Sequence, residues 1–331
     1  MDFKREKWEL RQLQALPLVH KIRMTADRIE SWYQHWNGYR LDRKDKDPEG
    51  IYLSFSGGKD STVLQHILKT HCIAVYDCPS VFVDTGLEYP EVRQFAIENA
   101  DVVLRPKMNF KQVIETYGYP VIGKAQARGV RDLQNAHGQN DATVNLRITG
   151  YNRKGVYCPT MKLANKWHHL KDAPFKASEQ CCDVMKKEPM RRYSKETKRT
   201  PVVGMMCVES HLREKSWLMN GCNAFDAKYP QSQPMAFWTE QDVLEYLVTE
   251  NVPYASVYGE IKQDENGQFY TTGVSRTGCM FCAFGAHLEK QPNRFQQMKE
   301  THPKQYAYCM KPTAEGGLGM ADVLDYIGVV H

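Results

Sequence analysis

The segment Ser54–Ser61, which reads Ser-Phe-Ser-Gly-Gly-Lys-Asp-Ser, constrains the fold of this chain more than any other feature. It follows the apolar residues 51–53 and runs directly into the helix-like residues 62–68. Gly57 and Gly58 allow a tight turn with no Cβ in the way of a ligand, and the first amides of the helix face outward at the positive end of its dipole. The sequence therefore predicts a strand, a turn and a helix start that cradle a pyrophosphate.

The residue types in this turn exclude the Walker form, which has a longer loop and a Ser or Thr after its lysine, whereas here Asp60 follows Lys59. The turn resembles instead the PP-loop, Ser-Gly-Gly-x-Asp-Ser, of enzymes that split ATP between its α and β phosphates. A plain glycine turn would not require both serines and the aspartate. The predicted nucleotide ligands here are Ser54, Ser56, Gly57, Gly58, Lys59, Asp60 and Ser61.

Four cysteines form a second signature: the adjacent pair Cys181 and Cys182, and the Cys-x-x-Cys of Cys279 and Cys282. Four thiolates from two places in a chain can bind zinc or hold an iron–sulfur cluster. Adjacent cysteines make a poor zinc knuckle, so the spacing favours a 4Fe-4S cluster over zinc. Unrelated buried thiols remain the third interpretation.

Taken together, these motifs resemble the phosphoadenosine/adenosine phosphosulfate reductase family of the PP-loop ATP pyrophosphatase superfamily, over about residues 51–285. The further matching pieces are Phe82–Gly86, Pro90-Glu91, Cys181–Pro189, Val203-Gly204 with Glu209, Ser210 and Arg213, Pro234–Thr239 and Thr277–Cys282. The resemblance implies an α/β doubly wound parallel sheet, an adenine nucleotide on the PP-loop, a cluster on the four cysteines and chemistry on sulfur. It adds Asp84, Thr85, Gly86, Gly204 and Arg213 to the nucleotide site, and Lys186 to the catalytic residues.

Three departures separate the chain from the sulfonucleotide reductases of that family. These reductases carry a Glu-Cys-Gly-Leu-His segment with a nucleophilic cysteine, whereas the last cysteine here is Cys309. Met205 and Met206 stand where paired arginines would bind the sulfate or phosphate, and methionine offers no charged hydrogen bonds. Met185 replaces an arginine before Lys186. These differences favour the nucleic-acid sulfur-transfer branch, which includes DNA phosphorothioation and tRNA thiolation enzymes.

In that branch ATP adenylates an oxygen of the acceptor, and sulfur then displaces AMP, which is a far better leaving group than hydroxide. We expect Asp60 and Asp84 to bind Mg²⁺, because this ion prefers oxygen ligands shared with phosphates. Lys59, Asp60, Asp84 and Lys186 are the predicted catalytic residues, and a cysteine desulfurase or another donor would supply the sulfur. The alternatives are a sulfonucleotide reductase that produces sulfite and a non-catalytic sensor of nucleotide and cluster.

Charge is unevenly distributed over the 331 residues, whose net charge is +5. Bases outnumber acids in residues 124–154 and again in residues 186–199, with Tyr151, Tyr157 and Tyr193 in or beside these stretches. Such stretches favour contacts with nucleic-acid phosphates, and the tyrosines could stack on bases; a solvated basic face is the competing interpretation.

The ten cysteines occur without an export signal or an apolar run of membrane length, which predicts a cytoplasmic protein with reduced thiols and no membrane partner. Cys158 and Cys309 are candidates for a redox-active thiol, and a homodimer is left open.

Strand-like and helix-like runs alternate along the chain, which is typical of a doubly wound α/β fold with its ligand beyond the carboxyl ends of the strands. The predicted strands are 51–56, 80–84, 102–105 and 201–206, and the predicted helices are 61–70, 90–99, 110–117 and 239–250. Asn266-Gly267 predicts a hairpin turn. The expected division is a helical extension over 1–45, a nucleotide-binding domain over 46–235 and a cluster-binding helical region over 236–331.

Overall fold

The structure is a computed structural model that describes residues 4–38, 50–75, 78–136 and 141–331, with the side chains of residues 37 and 38 left out. The last part of the predicted N-terminal extension, residues 39–45, lies outside the described residues. None of the helices in these described ranges is both long enough and apolar enough to cross a membrane.

The described chain alternates helices and short strands. The helices are α1 Lys7–Gln14, α2 Leu18–Gly38, α3 Lys59–His71, α4 Pro90–Asn99, α5 Phe110–Tyr117, α6 Lys124–Gln134, α7 Asp141–Thr149, α8 Glu188–Thr197, α9 His211–Asn220, α10 Glu240–Thr249, α11 Arg294–Thr301, α12 Pro303–Met310 and α13 Met320–Tyr326. The strands are β1 Ile51–Phe55, β2 Ser80–Val83, β3 Val102–Leu104, β4 Val121–Ile122, β5 Thr200–Val203, β6 Asn223–Ala224, β7 Gln231–Ser232, β8 Ile261–Gln263, β9 Phe269–Thr271 and β10 Ala283–Phe284.

The chain forms two compact units whose segments interleave along the sequence. Unit 1 consists of Met1–Asp84, Glu88–Arg105 and Pro189–Thr277. Unit 2 consists of Thr85–Leu87, Pro106–Glu188 and Gly278–His331.

Unit 1 is built on a six-stranded sheet with the order β3-β2-β1-β5-β7-β6. All neighbouring strands are parallel except β6 and β7. The chain leaves β1 toward β2 and β3 on one side and returns to β5 on the other, so the order reverses at β1. Parallel α/β sheets bind ligands at such a reversal, beyond the carboxyl ends of the strands. The predicted α/β doubly wound fold is confirmed, and the glycine turn follows β1 directly.

The predicted elements agree closely with the structure, and α4 and α5 have the predicted bounds. The β8–β9 hairpin is also present. The fourth predicted strand, 201–206, is different: it ends at Val203, because the amide of Met205 donates to the Val203 carbonyl and turns the chain.

The N-terminal helices α1 and α2 pack on the core of unit 1. Trp32 of α2 is fully buried and its ring lies 5.0 Å from that of Phe225. Trp238 is also buried, and its indole donates to the Thr25 hydroxyl on α2. The described part of α2 therefore contributes to this core.

Unit 2 is mainly helical, and β4 and β10 form a short parallel pair within it. The ring of Phe110 on α5 lies 6.4 Å from that of Phe281, beside the Cys-x-x-Cys. Arg147 is buried and donates twice to one carboxylate oxygen of Asp132. A buried arginine is tolerated when its charge is paired in this way.

A buried ion pair fixes α2 to α10 in unit 1. The ammonium of Lys21 lies 2.7 Å from both carboxylate oxygens of Asp242 and donates to the Gln14 carbonyl. Asp242 also accepts from the amide and hydroxyl of Thr239 at the start of α10. The pair thus links two helices and a helix cap.

We expect Lys21→Met to lower the free energy of unfolding by about 3–5 kcal/mol, because it leaves the Asp242 carboxylate buried without its cation. Urea denaturation measures the change. Lys7→Met is the control, since Lys7 pairs with Glu214 while its side chain is 55% exposed, and it should cost less than about 1 kcal/mol. Equal losses in the two variants would contradict the role of the buried pair.

Candidate functional site

The glycine turn after β1 is held by two serines. The Ser61 hydroxyl donates to the Gly58 carbonyl and lies 3.0 Å from the Ser56 hydroxyl. It also accepts from the Ser56 amide. Gly57 has φ +72°, and a Cβ there would lie 2.7 Å from both the Val92 carbonyl oxygen and the Ala96 Cβ. Only glycine fits this position, both for its backbone angle and for its packing.

The glycine turn leads directly into the first turn of α3. Gly58 is the N-cap and no side chain caps the helix there. The Lys59 amide donates to the Tyr258 hydroxyl over 3.2 Å, and that hydroxyl lies 2.7 Å from the hydroxyl of Thr277. The predicted turn and helix start are therefore present, and the Lys59 amide is bonded to the Tyr258 hydroxyl; phosphate binding by this turn stays a prediction.

Cationic side chains surround the turn. Lys59 is buried, donates to the Ser275 carbonyl over 2.6 Å and lies 3.1 Å from Glu240. Arg213 and Arg276 both pair with Glu209. The three cations have carboxylate partners in this structure, and an anionic ligand would compete with those partners for them.

Asp60 is the unusual member of this group. Its Oδ1 atom is buried and has no hydrogen-bond partner among the described residues. Burial raises the pKa of Asp60 above its ordinary value, while Lys59 and Arg276 act in the opposite direction. A buried carboxylate oxygen without a partner retains unused acceptor capacity, which a metal ion or a donor from a ligand would satisfy.

Gly204 and Arg213, which the family resemblance assigned to the nucleotide site, both interact with Asp60 in the first turn of α3. A Cβ on Gly204 would come 3.2 Å from the Asp60 carbonyl oxygen, so the chain after β5 packs closely against the first turn of the helix. Arg213 acts on the Asp60 carboxylate through its charge. Ser54 lies one residue before the end of β1, half-buried.

Asp84 follows β2 at the carboxyl edge of the sheet and is buried. Its two oxygens accept from the Arg93 guanidinium at 2.7 Å each, and Arg105 lies 3.8 Å away. A metal ion at Asp84 would therefore share the carboxylate with the Arg93 guanidinium. Thr85 and Gly86 belong to unit 2, where the Thr85 hydroxyl accepts from the Leu87 amide and Gly86 has φ +70°.

All four predicted cluster ligands belong to unit 2. Cys181 donates its thiol hydrogen to the Cys182 sulfur at 4.0 Å, and Cys279 and Cys282 are both close enough to act on Cys181 electrostatically. Within the described part of the chain, no three Cys, His, Asp or Glu side chains are grouped closely enough to hold a metal ion. The structure thus brings the four thiols into one neighbourhood without closing a single-ion site.

The two adjacent thiols have opposite acidities. The hydrogen bond from Cys181 lowers the pKa of Cys182 to about 6, and the ammonium groups of Lys124 and Lys186 favour its thiolate as well. The same hydrogen bond and burial raise the pKa of Cys181. Lys186 lies in a single π-helical segment, Asp183–Lys187, immediately after the cysteine pair. Such segments are frequent at functional sites.

The other candidate thiols differ in accessibility. Burial raises the pKa of Cys309 to about 12, so it stays protonated at neutral pH and is a poor nucleophile. Cys158 is half-buried, and its sulfur lies 3.6 Å from the Val156 carbonyl oxygen.

Sequence reasoning missed Tyr258, Ser275 and Arg276, the residues that contact Lys59 or pair with Glu209. They are about 200 residues from the turn along the chain, and no local pattern marks them. Ser275 and Arg276 directly precede the quoted Thr277–Cys282 motif, which was the one available hint.

Comparison with known proteins gives two findings. Residues 50–121 and 147–284 match the sequence profile of the phosphoadenosine phosphosulfate reductase domain. A crystal structure of phosphoadenylyl-sulfate (PAPS) reductase from Candida auris, in a phosphate complex, is similar over 81% of this chain and 100% of that chain, with 12% identity and a TM-score of 0.36. No curated protein matched the sequence significantly.

Asp60 makes a pH-dependent contribution to stability that Asp60→Asn should remove. Because burial raises its folded pKa above the unfolded value, the wild type loses stability as the pH rises through that range, by about 1.4 kcal/mol for each pKa unit. As the pH rises above the ordinary pKa of aspartate and through the raised folded pKa, the variant should therefore gain stability relative to the wild type. Urea unfolding across this range tests it.

The control for this experiment is Asp226→Asn, an exposed carboxylate in the same unit, which should follow the wild type throughout. A difference between Asp60→Asn and wild type that is independent of pH would show that Asp60 is not a destabilised carboxylate.

Proposed function

This chain belongs to the phosphoadenosine phosphosulfate reductase domain family, and on that premise we propose that it is an ATP pyrophosphatase-type sulfurtransferase that replaces an oxygen of a nucleic acid, DNA or tRNA, with sulfur. The supporting observation is the turn after β1. It combines open helix amides, a buried lysine, two arginines and a carboxylate whose Oδ1 has no partner in the described chain. Those groups suit a triphosphate and the charge that develops on it.

The reaction has two steps. The acceptor oxygen attacks the α phosphorus of ATP, the bond to the bridging oxygen breaks, and pyrophosphate leaves. In this proposal the α3 amides and Lys59 bind the departing phosphates, and Arg213 and Arg276 offset their charge. A cysteine desulfurase or another donor supplies sulfur as a persulfide, which a thiol reductant such as dithiothreitol reduces by two electrons to sulfide. The sulfide then displaces AMP, which carries the acceptor oxygen away.

Mg²⁺ would shield the phosphates and stabilise the leaving pyrophosphate when bound. Asp60 fits this ion because its Oδ1 is buried without a partner in the described chain. Asp84 fits less well, since both of its oxygens accept from Arg93. We therefore assign the metal contact to Asp60 first.

The four cysteines of unit 2 would hold an iron–sulfur cluster. Their electrostatic influence on one another supports a shared site. The preference for a cluster over zinc rests on the sequence pattern, in which two of the four cysteines are adjacent. The cluster would supply an electron-transfer or structural centre, and Cys181, Cys182, Cys279 and Cys282 would hold it.

Two observations weigh against sulfite production. Cys309, the last cysteine of the sequence, is buried with its pKa raised to about 12, whereas a reductase needs a reactive thiol. Met206, at a position where the reductases carry arginine, is buried. One observation favours the alternative, an APS or PAPS reductase: Arg213 and Arg276 beside Asp60 could bind a sulfate in place of the missing pair.

An assay of the anaerobically purified protein separates the two reactions. With ATP, Mg²⁺, nucleic acid, cysteine, a cysteine desulfurase and dithiothreitol, we expect AMP and pyrophosphate to be released. Asp60→Asn should lower the rate by about 10²–10³-fold through lost charge stabilisation, while Asp226→Asn should retain it. Chromatography of nucleotides and sulfite measurement give the readouts.

Sulfite released from APS or PAPS with thioredoxin, in the absence of ATP turnover, would overturn the sulfurtransferase and establish the reductase. Tight nucleotide binding with neither product would overturn both enzymatic assignments and support the non-catalytic sensor.

For the cluster, we expect Cys279→Ser to lose most of the iron, the acid-labile sulfide and the visible absorbance, and to reduce stability, because metal binding contributes to folding. Cys158→Ser is the matched control, a half-buried cysteine of the same unit outside the four, and it should retain all three. Unchanged iron in Cys279→Ser would show that the ligand set is wrong.

A further inference from the structure

We propose that residues Gly150–Cys158, here called the tyrosine turn, form a stacking platform for single-stranded nucleic acid, an inference that rests on the proposed acceptor. The turn lies in unit 2 and presents two tyrosine rings to solvent: Tyr151 is 49% exposed and Tyr157 is 50% exposed. Their ring centroids are 5.2 Å apart at an interplanar angle of 49°. Paired exposed aromatics of this kind are what bases stack on.

Hydrogen bonds hold the turn in shape. Asn152 organises the tip of the turn. Its side-chain oxygen accepts from the backbone amides of Lys154 and Val156, and its backbone amide donates to the Val156 carbonyl. Gly155 completes the tip at φ +73°. The exposed rings are therefore presented on an ordered backbone, which reduces the entropy lost on binding.

The base of the turn fixes the two rings relative to each other. Tyr151 and Tyr157 face each other in an antiparallel bridge, and the Cys158 amide donates to the Gly150 carbonyl over 2.7 Å. Gly150 has φ +88°, and a Cβ there would come 2.6 Å from the Tyr157 ring. Glycine thus lets the ring lie against the backbone.

Charge favours a polyanion as the partner. Residues 142–171 contain no Asp or Glu and six Lys or Arg residues. One of them, Arg147, is buried on Asp132, but Arg153 and Lys154 are exposed at the tip itself. Aromatic rings flanked by exposed cations match bases joined by phosphates, and they match an acidic peptide less well because it lacks rings to stack.

The structure also separates this pair from the third tyrosine of the basic stretches. Tyr193 is half-buried and packs edge-on against Tyr52, with centroids 5.1 Å apart. Tyr193 therefore belongs to the packing of unit 1, and the platform consists of Tyr151 and Tyr157.

Fluorescence anisotropy with a labelled single strand of about 12 nucleotides, as DNA and as RNA, tests the platform. Tyr151→Ala and Tyr157→Ala should each weaken binding by about 5- to 150-fold, the value of one base stack, whereas the Phe variants should bind like wild type. Tyr270→Ala is the control, because Tyr270 is 46% exposed in unit 1. Changing Arg153 and Lys154 together to Ala should lower the salt dependence by about one to two counterions.

The outcomes keep this inference apart from the proposed function. Wild-type affinity in both Ala variants, or equal competition by polyglutamate, would overturn the platform; if AMP release still depended on nucleic acid, the function would stand. Tyrosine-dependent binding without any AMP release would overturn the function and support the platform. Binding lost equally in the Phe variants would overturn stacking.

Discussion

The candidate site depends on one packed glycine. Gly57 turns the chain at φ +72° between β1 and α3, and its hydrogen atoms lie where a Cβ would strike Val92 and Ala96 of α4. The absence of a Cβ at Gly57 lets α4 pack against the turn, and the hydrogen bond from the Ser61 hydroxyl to the Gly58 carbonyl stabilises the turn. The amides of α3 are consequently directed at the carboxyl edge of the sheet, where α/β proteins bind ligands.

The charges around that turn are paired, with the exception of the buried carboxylate of Asp60. Glu209 pairs with two arginines, and Glu240 pairs with Lys59, so these cations are satisfied without a ligand. Asp60 is the exception, since burial disfavours its charge and one of its oxygens has no partner in the described chain. Natural proteins retain such destabilised groups chiefly where function requires them.

Sequence patterns predicted the local structure well because the signals there are local. The alternation of strand-like and helix-like runs predicted the bounds of α4 and α5. The glycine motif predicted the turn between β1 and α3. The contacts of Tyr258 and Ser275 with Lys59 could not be predicted, since they join residues about 200 positions apart. The early end of β5 at Val203 likewise depends on the hydrogen bond from the Met205 amide to the Val203 carbonyl, which the strand-like pattern of residues 201–206 does not encode.

The interleaving of the two units decides which experiments are informative. The chain passes from unit 1 to unit 2 after Asp84, after Arg105 and after Thr277, so the Phe82–Gly86 and Thr277–Cys282 motifs each contribute to both. A truncation after Asp84 or Arg105 removes the later segments of both units and leaves the core of unit 1 incomplete. Single substitutions leave every segment in place, and they can therefore assign the turn in unit 1 and the thiols in unit 2 separately.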